Sequence, residues 1–175
     1  MVLSSFWALI ETTRKESEND DEFISKLKDK LVATTENEII GFERILRTLI
    51  LRADHYNVLA AEKIIEGYVS DDLFLYFRCW LISQGKDVFE NTIINPDSLS
   101  VIVEKDQNAS LEGLLYVTND AYSELTGIEE EETFPRDVCI FEGLDYDMPK
   151  NPTQGEAWEE NQLPKLYPNL WNTLN

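Results

Sequence analysis

A chain of 175 residues that is 43% hydrophobic, with four Trp, seven Tyr and eight Phe, carries too much apolar surface to stay unfolded and enough for one cooperative domain. Its 34 acids against 15 bases give a net charge of −19, which repels phosphate backbones and anionic lipid surfaces, so neither nucleic acid nor membrane is an expected partner. The two cysteines, Cys79 and Cys139, lie far apart with no metal-ligand spacing, which excludes a disulfide framework or zinc module.

The N-terminal apolar stretch is short, is followed by Glu11 and has no basic residues before it. It therefore reads as neither signal peptide nor membrane anchor, and the cytoplasm is the expected location. Ser4 or Ser5 is placed to cap a first helix with Phe6, Leu9, Ile10 and Thr13 on one face. An acidic loop over 16–22 leads to a second, amphipathic helix with Phe23, Leu27 and Leu31 inward. Thr35 and Glu38 form a capping-box pattern opening a long helix over about residues 36 to 53, with His55 at the turn beyond it.

A fourth helix from Tyr56 ends on Gly67. Ser70 then caps a fifth, whose run over 73–82 is apolar almost all round, as a buried helix requires. The pattern predicts a sixth helix over 86–94, stopped at Asn95-Pro96, and a last regular helix over about 110–125, closed by Gly127. Only 101–103 and 138–141 have strand-like composition, and both are too short for a sheet. The expected fold is all-α, a single-domain bundle of about seven helices.

Beyond Gly127 the chain becomes richer in proline and acid. Five of the six prolines and eleven acids against three bases fall in 128–175, together with Phe141, Tyr146, Trp158, Tyr167 and Trp171. A helical body over 1–127 and an acidic, irregular segment over 128–175 whose aromatics dock on that body is the organisation this predicts.

Chemistry is sparse. Asp71 and Asp72 fall in the first turn of the fifth helix, where carboxylates complement the helix dipole, and Tyr76 and Arg78 follow on that helix. Together these four are the candidate binding cleft. The run Glu129, Glu130, Glu131 and Glu132 is the candidate contact for a basic partner. His55 has no nucleophile or acid in a nameable pattern, Asp145 and Asp147 make at most half of a carboxylate metal pair, and no phosphate-binding loop or nucleophile elbow occurs. No catalytic residue, metal or cofactor is expected.

Several blocks together resemble the bacterial family known as domain of unknown function 4240. They are Phe6-Trp7 with Ile10-Glu11; Ala60-Ala61 with Ile64 and Gly67; and Asp71-Asp72-x-Phe74-x-Tyr76-Phe77-Arg78-x-Trp80-Leu81-Ile82-x-x-Gly85. Asn95-Pro96-Asp97-Ser98-Leu99 and the terminal Gly155, Trp158 and Tyr167-Pro168-x-Leu170-Trp171 complete the set. Tyr68 departs from the small residue that relatives carry there. The resemblance implies no catalytic residue or substrate. Size, charge and the lack of an active site point to a protein, monomeric or homodimeric, that neutralises a basic partner as an immunity protein does. The alternative is an enzyme or small-molecule binder using a cleft near Asp71, Asp72 and Arg78.

Overall fold

The computed structural model of the chain describes residues 1–128 and 135–175. It is all-α, and the only bridge among the described residues is an isolated parallel pairing of His55 with Gln154. The helices are α1 (Leu3–Lys15), α2 (Asp20–Val32), α3 (Glu36–Arg52), α4 (Tyr56–Glu66), α5 (Asp71–Ser83), α6 (Lys86–Ile94), α7 (Val117–Thr126), α8 (Arg136–Phe141), α9 (Leu163–Leu166) and α10 (Pro168–Leu174). Three 3-10 turns, Pro96–Val101, Glu112–Leu115 and Glu160–Gln162, join them. Among the described residues no helix is long and apolar enough to cross a membrane.

The chain divides into two compact units, Met1–Leu51 with Glu112–Lys150, and Arg52–Leu111 with Asn151–Asn175. In the first, α2 packs on α1, on α7 and on the 112–115 turn. Its core holds Phe6, Ile10, Phe23, Leu27 and Phe42 fully buried, with the Phe6 and Phe42 rings 4.6 Å apart. Each such side chain removed from water contributes about 1.5–3 kcal/mol. Beside this core lies a buried polar knot. Arg47 and Glu43, one turn apart on α3, are paired at 2.5 Å, and the Thr118 hydroxyl donates to the other Glu43 oxygen at 2.7 Å. Arg47 also donates to the Leu144 carbonyl at 2.9 Å and lies 4.3 Å from the centre of the Tyr146 ring.

In the second unit α4 packs against α5, α6, α10 and the 96–101 turn, and α10 packs against α9 and that same turn. Asp97 fixes α10 from outside: one oxygen accepts from the Leu170 amide at 2.9 Å, the other from the Asn169 side chain at 3.0 Å. Gln154 and the stretch after α3 exchange backbone bonds, Gln154 N–H to Asp54 at 3.0 Å and Tyr56 N–H to Gln154 at 2.9 Å.

Most predicted caps are present. Ser70 accepts from the Leu73 amide, Thr35 from the Glu38 amide, and Gly67 and Gly127 end α4 and α7 in left-handed conformation. The first helix differs. It starts at Leu3 behind an extended Val2, so Ser4 and Ser5 lie inside it and cap nothing. Glu38 does not complete its box as drawn from sequence, since its carboxylate turns to the Met1 ammonium at 3.2 Å.

The helix expected over 110–125 is broken into the 112–115 turn and α7. Gly113 is a poor helix former, and a Cβ there would stand 3.3 Å from Ile24 of α2, so the glycine serves close approach. Residues 135–175, expected to be irregular, hold the short helices α8, α9 and α10. Of its aromatics Tyr146 is buried and Trp158, Tyr167 and Trp171 are half-buried, whereas Phe141 is 93% exposed and docks on nothing.

Candidate functional site

Asp71 and Asp72 stand exposed in the first turn of α5, with no hydrogen bond or ion pair to the described residues, in the position that favours the helix dipole. Tyr76, one turn on, is half-buried, and its carbonyl accepts from the Leu111 amide at 3.2 Å. Arg78 is buried. Its Nε donates to the Phe74 carbonyl at 3.2 Å, and its guanidinium lies 4.5 Å from the centre of the Phe74 ring. The two aspartates face water at one end of the helix while the arginine turns inward. Glu129, Glu130, Glu131 and Glu132 lie outside the described residues. Asp145 accepts from the amides of Asp147 and Met148, which makes it a turn former. No group of three His, Cys, Asp or Glu among the described residues is placed to hold a metal ion.

A residue that sequence reasoning missed sits deeper in the second unit. Glu62 on α4 is fully buried, and neither carboxylate oxygen has a hydrogen-bond partner among the described residues. Burial pushes its pKa up to about 8. The negative charge of Glu66 adds to that rise and the positive charge of Arg78 opposes it. Glu66 is itself held by the Ala109 amide at 2.8 Å. Glu62 is therefore a neutral acid near pH 7. A general acid must also reach a substrate, and the Glu62 side chain is fully buried.

His55, read from sequence as a helix-end residue, caps α4: its Nδ1 accepts from the Asn57 amide at 3.1 Å. That bond needs an unprotonated Nδ1, and burial accordingly lowers the histidine's pKa. Gly155, at φ +84°, lies against the ring, and a Cβ there would fall 2.5 Å from Cε1.

Next to this contact the second unit has a cleft of about 360 Å³ lined by Asn57, Glu156, Ala157, Trp158, Gln162, Lys165, Leu166 and Tyr167. Asp71, Asp72, Tyr76 and Arg78 are not among its walls. Trp158 is held by its indole N–H donating to the Tyr56 carbonyl at 2.8 Å, and the Tyr167 hydroxyl donates to the Asn57 side-chain oxygen at 2.9 Å. The Asn57 amide nitrogen in turn donates to the Ile93 carbonyl at 2.9 Å.

A family model described as protein of unknown function (DUF4240) matches residues 1–124, which takes in α1 to α6 and nearly all of α7. The match stops short of Gly155, Trp158 and the Tyr167 to Trp171 block, which the sequence resemblance had included. No curated protein and no solved structure matches the chain. With the greater part of its length matched, the chain belongs to the DUF4240 family.

Proposed function

We propose that this chain is a cytoplasmic interaction protein that captures and neutralises a basic protein partner, in the manner of an immunity protein. One observation carries the reading: more than half of the positive side chains are already occupied within the fold. Among the described residues at least eight of the 15 Lys and Arg side chains, Arg14, Lys26, Lys28, Lys30, Arg44, Arg47, Arg52 and Lys63, are ion-paired to carboxylates of the same chain. Carboxylates remain in large excess at the surface, so the field a partner meets is negative. Such a field steers a basic protein to its encounter and raises its association rate in a salt-dependent way.

The test starts with recovery of bound proteins from the native host at about 0.01 M ionic strength. Each basic protein recovered is then purified and its rebinding measured at about 0.01 and about 1 M, where the screening length falls from roughly 30 to roughly 3 Å. The expected result is one basic protein whose association rate drops tenfold or more across that range. If no purified basic protein rebinds, or rebinding ignores salt, the reading is wrong.

A further inference from the structure

The 360 Å³ cleft of the second unit has features that the charge-driven reading leaves unused. Two of its walls are fixed before any ligand arrives: Trp158 is tied to Tyr56, and Tyr167 to Asn57. Side chains held in this way lose little freedom on binding. Asn57 is a positioning residue, because its NH₂ group donates to the Ile93 and Ile94 carbonyls while its oxygen holds the Tyr167 hydroxyl.

Other polar groups in the cleft are unsatisfied. Lys165 has no ion pair or hydrogen bond among the described residues, and neither has Glu156. They line one cavity with opposite charges and do not pair with each other. Gln162 uses its side-chain oxygen on the Glu159 amide at 2.8 Å, leaving its NH₂ group as a donor. The indole of Trp158, the ring of Tyr167 and the side chain of Leu166 line the same cleft. An ammonium and a carboxylate that line one aromatic-walled cleft without pairing match a ligand carrying both charges and a flat apolar group. Glu156 and the net charge of −19 weigh against phosphate-bearing ligands, and the volume lies at the small end of the roughly 300–1,000 Å³ range of ligand pockets.

We propose that this cleft binds a free aromatic α-amino acid, with its carboxylate on Lys165, its ammonium on Glu156 and its ring against Trp158 and Tyr167. The inference stands independently of the basic partner, since a small zwitterion needs no long-range field.

The test is calorimetric titration of the full chain with L-tryptophan, L-tyrosine and L-phenylalanine. Tryptamine, indole-3-propionate and indole serve as probes lacking the carboxylate, the ammonium or both. Amide chemical-shift mapping locates the site. At least one amino acid binds one to one, with shifts centred on residues 156–167, and its affinity falls about tenfold or more when either charge is removed from the ligand. Lys165→Met abolishes the preference for tryptophan over tryptamine, and Glu156→Gln abolishes that over indole-3-propionate. Both side chains are exposed, so the variants fold. The proposal is overturned if none of the three amino acids binds at millimolar concentration, if indole binds as well as tryptophan, if the shifts lie elsewhere, or if both variants keep the wild-type preferences.

Discussion

Replacing Glu62 with Gln keeps the shape of the side chain and removes its ability to ionise. In the unfolded chain the carboxyl titrates near 4.5, and in the fold it titrates near 8. Below pH 4.5 it is protonated in both states and contributes no pH dependence. As pH rises the unfolded state releases the proton first, so stability is lost progressively between about 4.5 and 8 and then levels off. At about 1.4 kcal/mol per pH unit the full loss is about 5 kcal/mol, of which about 3 has accrued by pH 7. Against a typical domain stability of about 5–15 kcal/mol this is a large fraction.

Urea unfolding followed by tryptophan fluorescence measures the effect. Glu62→Gln is expected to be within about 1 kcal/mol of the wild type at pH 5 and about 5 kcal/mol more stable at pH 8.5. Charge repulsion elsewhere in this acidic chain changes with pH in both proteins alike and cancels in the comparison. Equal differences at the two pH values would refute the argument, because they would place the ionised carboxylate in a site that solvates it.

Two further predictions concern the knot in the first unit and the histidine contact in the second. Arg47→Met leaves the buried Glu43 carboxylate without its counter-charge and is expected to cost about 3–5 kcal/mol in denaturant unfolding. The double variant Arg47→Met with Glu43→Leu regains part of that loss, and strictly additive costs would contradict the pairing. Gly155→Ala is expected to destabilise more than Gly67→Ala. Both residues are left-handed, but nothing lies within 4 Å of a Cβ at 67, whereas at 155 it meets the His55 ring. Backbone strain alone costs about 1–2 kcal/mol, and displacing the His55 cap adds about 1. Equal melting curves for the two variants would remove His55 from the account.

The parts of this fold that were legible in the sequence are those where a local rule is also the global one. Ser70 before an apolar run specifies α5, and the spacing of Phe23, Leu27 and Leu31 specifies α2, because capping and burial act within a few residues. The C-terminal helices were obscured by Pro164 and Pro168, which read as breakers. Each in fact sits in the first turn of a short helix, where the missing N–H costs nothing. The Gly113 break depends on the proximity of Ile24, 89 positions away in sequence.

Glu62 was illegible for another reason. In Ala60-Ala61-Glu62-Lys63 it looks like a solvated charge, and only the packing of other elements on α4 makes that face interior. Its one local signal was its position a turn beyond Val58, also buried. The cleft draws all but one of its walls from 156–167, where no motif of spacing marks a binding site.

The division of the chain has a consequence for how the protein is made. Each unit is assembled from two stretches with a stretch of the other between them: 1–51 with 112–150, and 52–111 with 151–175. In the second, the Asp97 contacts to Asn169 and Leu170 and the Tyr167 contact to Asn57 join residues that leave the ribosome far apart in time. At roughly 5–20 residues per second, α4 to α6 wait several seconds for α9 and α10 to be synthesised, with the apolar face that α10 covers still open. Neither unit can be released by a single proteolytic cut, and neither can close before most of the other has been translated.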